Sequence, residues 1–207
     1  MLSTLRRQTG TGLRLLILLT LLCGIVYPLV VWGVSRIPGL SGGAEGSLVT
    51  RNGTVVGSSV IGVDPVPADP AADPYFHTRP AASSEDVLGP ADTRTSGGSN
   101  EAGDSQDLLD AVSRRRALIA QREGVPPETV PTDAVTASAS GLDPDISPAY
   151  AALQVDRVAR VTGLPVGRVR DLVAQATDGR ILGFLGEPTV NVTGLNLAVA
   201  AAQRPGG

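Results

Sequence analysis

The sequence has no lysine: all 17 of its cationic residues are arginine. That excludes every mechanism needing a lysine amine, including the phosphate clamp of P-loop nucleotidases, Schiff-base catalysis and Ser-x-x-Lys hydrolysis. The chain is therefore not itself a P-loop ATPase. Its one cysteine, Cys23, cannot close an intramolecular disulfide, and its one histidine, His77, leaves little for a histidine metal site or a catalytic triad. Aromatic residues make up 3% of the 207, which limits the core, while 25 Gly and 16 Pro point to a loop-rich fold of one or two domains. A formal net charge of −3 argues against a nucleic-acid surface.

What the chain does have is one long apolar run. From Leu15 to Ser35 there is no charge, and at about 1.5 Å per residue the run covers the roughly 30 Å hydrocarbon core of a bilayer. It is longer than the core of a cleaved leader and ends in Val34-Ser35-Arg36, not in a small-x-small site. Cys23 follows the bulky Leu22, which does not suit lipoprotein processing. Pro28 is expected to kink the outer half, and Tyr27 and Trp32 suit an interfacial position. Arg6, Arg7 and Arg14 precede the span with no acidic residue before Glu45, so the positive-inside bias places the N-terminus in the cytoplasm. From residue 37 onward, 13 arginines face all 20 acidic residues, a formal charge of −7. The expected organisation is a cytoplasmic segment over residues 1–14, a transmembrane helix over 15–35, a linker over 36–46 and one extracytoplasmic α+β domain over 47–207.

In the linker, Leu40-Ser41-Gly42-Gly43 looks superficially like a transporter-ATPase signature, but no nucleotide-binding pattern surrounds it, and Pro and Gly explain the stretch as a flexible exit. Alternation over 47–51 and 54–57 across Asn52-Gly53 predicts a hairpin, which 58–62 extends. Residues 63–104 then read as a long irregular loop, uncommon in a compact domain unless it has a task. Within it, Tyr75 and Phe76 lie beside prolines, as an anchor either to the core or to a partner. His77 is not supported as a metal ligand because the chain holds no second histidine. Ser96-Gly97-Gly98-Ser99-Asn100 has the composition of an anion-cradling backbone nest, although a bare turn explains it equally simply.

A helix is expected over Asp107–Arg122, with Leu108, Leu109, Val112 and Ile119 inward and Arg114, Arg115, Arg116 and Arg122 on a solvated face, or on one meeting lipid headgroups or an acidic partner. Ser147 and Pro148 open a second helix that ends at Gly163. Pro165 opens a third, with Val166, Val169, Leu172, Val173 and Ala176 inward. A turn over Gly183–Pro188 leads to a strand over Thr189–Thr193 and a short tail, which completes an α+β pattern. Ser138 or Ser140 as nucleophile with Asp143 as orienter would need an imidazole, and nothing resembles a nucleophile elbow. An Asp143/Asp145 cation site is interrupted by Pro144; Asx turns and helix caps account for these aspartates. No catalytic or metal residues are assigned.

Several ordered motifs carry a resemblance. They include Tyr27-Pro28-Leu29, Gly46-Ser47-Leu48, Tyr75-Phe76-x-x-Arg79-Pro80, Ser96–Asn100, Val130-Pro131-x-Asp133 and Ser140-Gly141-Leu142-Asp143-Pro144. Gln154-Val155-x-Arg157, Gly183–Pro188, Val190-Asn191-Val192 and Leu195-Asn196-Leu197 continue the series. With these the chain resembles KdpC, the C subunits of the bacterial Kdp potassium-transporting ATPase, over nearly its whole length. Val63, the Pro/Asp/Ala-rich stretch 64–73 and Ala139 depart from the family pattern.

The resemblance implies a non-catalytic accessory subunit in the cell membrane. Its implied partners are a channel-like potassium-binding subunit, a P-type ATPase subunit, a small membrane peptide and the lipid bilayer. It also implies a catalytic-chaperone role that raises the ATPase subunit's nucleotide affinity, with direct ATP contact suggested by the resemblance alone. An extracytoplasmic domain sits awkwardly with that contact, since ATP is cytoplasmic. Candidate partner contacts are Tyr75, Phe76, Arg79, Ser96, Gly97, Gly98, Asn100 and Asp143. The competing expectation is a membrane-anchored binding module independent of any transport complex.

Overall fold

A computed structural model of the chain describes residues 2–203; residue 1 and residues 204–207, at the outer ends of the first and last expected segments, lie outside the described residues. The chain divides into two compact units, residues 1–48 and 49–207. In the first, helix α1 (Leu2–Leu21) runs through a π-helical turn (Leu22–Val26) into helix α2 (Tyr27–Ser35). Arg6–Ser35 is long and apolar enough to cross a membrane. Where a kink was expected, the π turn accommodates Pro28: the Tyr27 N–H reaches back to the Leu22 carbonyl. Widening the turn relieves the clash between the proline ring and the carbonyl four residues earlier. The expected linker carries a short helix α3 (Ser41–Ala44) and an Arg36–Glu45 ion pair at 2.8 Å, with the Arg36 guanidinium 5.5 Å from the centre of the Trp32 ring.

The hairpin forms as the sequence indicates, from β1 (Leu48–Arg51) and β2 (Thr54–Ser58). Its turn residues Asn52 and Gly53 have φ of 51° and 77°, the pair of positive values that matches the twist of the flanking strands. Ser58 ends it sooner than expected: its hydroxyl accepts from the N–H groups of Val60 and Ile61. Gly62 must be glycine for a different reason. It bonds to the Leu142 carbonyl at 2.8 Å, and a Cβ there would lie 2.5 Å from the Asp143 carbonyl oxygen.

Residues 59–105 then run without helix or strand except for a 3-10 turn at Pro70–Ala72. After them come α4 (Gln106–Glu123), α5 (Thr132–Val135), β3 (Asp145–Ile146), α6 (Pro148–Thr162), α7 (Val166–Gln175), β4 (Thr177–Asp178), β5 (Thr189–Asn191) and α8 (Val192–Ala202). The sheet order is β3-β5-β4, all antiparallel, with Ile146 and Thr177 both opposite Val190. Ser105 and Ser147 cap α4 and α6 through their side chains, and Gly124 and Gly163 close them in the left-handed conformation, which leaves few helix-end groups unpaired.

Helix α6 packs on α4 and α7, and α7 on α8. Phe76, Ile119, Val135, Ile146, Tyr150, Val158, Val169, Val190 and Leu195 fill the centre with almost no exposure; each large side chain so buried contributes about 1.5–3 kcal/mol. The fold is mixed helix and sheet, and it differs from expectation in detail: α5, β3 and β4 are additional, and the strand expected over Thr189–Thr193 ends at Asn191. The expected tail is helix α8, capped by Asn191, whose side chain accepts from Gly194 N–H. Val166, expected inward, lies exposed at the first position of α7.

Candidate functional site

The long loop is closed onto the helices by side chains that imitate a strand. The Phe76 N–H donates to Asn196 Oδ1 and the Asn196 amide returns a bond to the Phe76 carbonyl, both at 2.8 Å. One residue on, Gln154 does the same for His77: its Oε1 accepts the His77 N–H at 2.8 Å and its amide donates to the His77 carbonyl at 3.4 Å. These two amides satisfy backbone groups that an extended buried segment would otherwise leave unpaired.

Around this clamp runs an alternating chain of charge. His77 Nδ1 faces Asp64 at 3.0 and 3.1 Å, and Nε2 faces Asp73 Oδ2 at 2.6 Å. Arg157 Nη1 sits 3.1 Å from that same Asp73 oxygen and also donates to the carbonyls of Asp73 and Tyr75. Its Nε donates to Glu123 Oε2 at 2.9 Å, and Glu123 Oε1 accepts from Arg122 Nε at 2.7 Å. Arg122 Nη2 ends the series on the Tyr150 hydroxyl at 3.0 Å. Three anions and three cations alternate when His77 is charged, so each buried charge has a partner, as low dielectric demands.

The protonation states follow from the geometry. Burial alone would lower the pKa of His77, but the carboxylates of Asp64 and Asp73 outweigh it and hold the imidazolium above its ordinary 6.5. Burial would likewise raise Asp73; the bond and charge of His77, the Tyr75 N–H and Arg157 together bring it below 3.8. Burial raises the Tyr150 hydroxyl against the opposing pull of Arg122. Since both ring nitrogens of His77 are held by carboxylates, neither is presented to a serine. Ser138 and Ser140 instead bond each other at 3.2 Å and accept from the Gly141 and Leu142 N–H groups.

A cleft of about 710 Å³ opens beside the charge chain, lined by Asp73, His77, Arg122 and Arg157, with Asp86, Leu88, Leu118, Gln121 and Arg160 on its other walls. The residues present do not suit a nucleoside triphosphate. Arg122 and Arg157 are already paired with carboxylates, two carboxylates share the lining, and its one ring, the His77 imidazole, is buried between Asp64 and Asp73, with no Phe, Tyr or Trp beside it to stack a base.

The candidate contacts fall into two groups. Phe76 is fully buried and pins the loop to the core, whereas Tyr75 is 37% exposed; of the aromatic pair, only Tyr75 reaches the surface. Arg79 braces a neighbouring loop, donating to the Thr136 and Ala137 carbonyls and pairing with Asp143 at 3.4 Å. Asp143 also accepts the Asp145 N–H in an Asx turn. The Gly97 N–H is taken by the Ser140 carbonyl, and the Asn100 amide donates to Gly98 O, so the Ser96–Asn100 turn rests on the Ser138–Gly141 loop, and Gly97 has no amide left for an anion.

The expected arginine face of α4 is corrected. Arg114 is exposed, but Arg115 is buried and donates to the Val135 and Val87 carbonyls, and Arg122 belongs to the charge chain. Leu109, expected inward, is more than half exposed. The functional-looking residues that sequence reasoning missed, Asp64, Asp73, Glu123, Gln154, Arg157 and Asn196, bore one signal: three of them stand inside the family-like motifs.

Comparison with known proteins supplies the context. Residues 9–201 match the family model described as "KdpC: K+-transporting ATPase, c chain". Among curated relatives named "Potassium-transporting ATPase KdpC subunit", one from Kineococcus radiotolerans is 46% identical over 97% of both chains. Another, from Streptomyces coelicolor, is 44% identical over 99% of this chain and 97% of its own. A third, from Rhodopseudomonas palustris, is 42% identical over 96% and 98%. Matched from the anchor helix to α8, the chain belongs to the KdpC family of potassium-transporting ATPase subunits.

Proposed function

We propose that the chain is a non-catalytic accessory subunit that stabilises or regulates the assembly of an ATP-driven potassium uptake complex. Its anchor helix holds the α+β domain on the extracytoplasmic side of the cell membrane, and its partners are the potassium-binding subunit, the P-type ATPase subunit and a small membrane peptide. The observation that carries this reading is membership, over residues 9–201, of a family of transport subunits in a chain whose one imidazole is locked between two carboxylates. A domain so tied up internally is suited to presenting a fixed surface, not to turning over a substrate. Tyr75, Ser96 and Asn100, exposed on the braced loops, are contact candidates together with the half-buried Gly97, Gly98, Arg79 and Asp143.

In this arrangement any rise in the ATPase subunit's nucleotide affinity reaches it through contacts between subunits, not through ATP held here. The acidic domain also raises cation concentration locally at the external mouth of the pathway, within the roughly 8 Å over which physiological salt leaves charge unscreened. Pull-down of the full chain from membranes in mild detergent tests the proposal. Co-elution of the transport subunits is expected; a chain recovered by itself as a stable monomer would favour the independent binding module.

A further inference from the structure

Between α7 with its strand β4 and the strand β5 runs a projection exposed throughout residues 179–187. Between β4 and β5, Ile181, Leu182, Phe184 and Leu185 are 66%, 83%, 72% and 56% exposed. Elsewhere on the helical face, exposed apolar residues such as Leu109 and Leu118 are scattered singly, which is ordinary for a protein surface; four within five positions are not.

The projection is built, not slack. Ile181 and Leu185 exchange backbone bonds at 2.9 and 3.0 Å, and Gly183 N–H returns to the Arg180 carbonyl. Arg180 and Glu187 pair across its base. Leu182 has φ of 54°, followed by Gly183 at 81°. A leucine seldom adopts that left-handed region, and here the conformation leaves its side chain the most exposed of the four. A rigid tip loses little freedom on docking, and a central apolar anchor is the usual source of interface affinity.

Charge decides what receives it. The only ionisable groups from 179 to 188 are Arg180 and Glu187, which neutralise each other. Behind them the sheet presents Asp178 and Asp145, close enough for the charge of the first to act on the second, while the nearby Asp143 is paired with Arg79. An acidic collar is repelled by anionic headgroups, and the tip has none of the Trp, Tyr, Lys or unpaired Arg that seat a segment in the interface. A protein pocket with a basic rim complements it instead.

We propose that the 181–185 tip is a docking plug, seating Leu182 and Phe184 in an apolar, basic-rimmed pocket on another polypeptide of the transport complex. This rests on the subunit reading above. The test places benzoylphenylalanine at position 184, with position 109 as an exposed control, in the full chain within native membranes.

Light is expected to join position 184, and not 109, to another polypeptide of the complex, at a peptide where Arg or Lys flanks apolar residues. A Leu182→Ser/Phe184→Ser chain is expected to recover on the order of tenfold less partner at an unchanged melting temperature. Adducts with lipid alone would assign the tip to the bilayer, and adducts with a second copy would assign it to self-association; either overturns the plug. No adduct while the chain still co-purifies would overturn the plug and leave the subunit reading standing. A chain that co-purifies with nothing would overturn both.

Discussion

His77 is buried with a carboxylate on each ring nitrogen, and the sign of its effect on stability follows from that. Its pKa is raised above 6.5 by Asp64 and Asp73 against the opposing effects of burial and Arg122. A group that binds its proton more tightly when folded stabilises the fold fully below its unfolded pKa, and that contribution is lost as pH climbs through the raised value. Asp73 has the opposite sign: lowered from 3.8, it contributes above 3.8 and loses that contribution as pH falls through its folded value. Stability from this pair is therefore greatest between 3.8 and 6.5. Thermal melts of the full chain in detergent should fall as pH rises from 6.5 to about 9. His77→Gln should flatten that decline, and a variant that declines as steeply as the parent would remove His77 as its source.

At the scale of elements, Arg157 of α6 joins the loop to the C-terminal turn of α4 through Asp73 and Glu123. Arg157→Ala leaves two buried carboxylates short of a partner and is expected to lower stability by about 3–5 kcal/mol. Hydrogen exchange should speed up selectively over residues 64–80; protection unchanged there would mean that the amide clamps of Gln154 and Asn196 hold the loop alone.

The same elements show what the sequence reveals. Helix α4 is legible from the apolar periodicity of Leu108, Val112 and Ile119, helix α6 from the local signals Ser147, Pro148 and Gly163, and the hairpin from Asn52-Gly53. Strands β3 and β4 have two residues each, too short for any periodicity to register. Arg115 misleads because an arginine in a helix reads as solvent-facing, whereas the carbonyls it serves, Val87 and Val135, are remote in sequence. The charge chain is illegible for the same reason: Asp64, Asp73, Glu123 and Arg157 come from three separate segments, and only folding sets them in alternation. The resemblance did single out Gln154, Arg157 and Asn196, though not the task they share.

For the whole molecule, the proposed function depends on the apolar N-terminal helix and on the side of the membrane on which the domain works. A helix long and apolar enough to cross a membrane is legible from hydropathy alone, and the arginines before it set the expected direction. The proposed extracytoplasmic placement rests on those arginines and on the formal charge of −7 beyond residue 36. The most direct test is labelling of single cysteines in a Cys23→Ser background with a membrane-impermeant maleimide. Ser99→Cys, on an exposed turn, and Gln8→Cys, exposed ahead of the apolar run, supply the two reporters. Ser99→Cys is expected to be labelled in intact spheroplasts and Gln8→Cys only after lysis; the reverse pattern would contradict an extracytoplasmic domain.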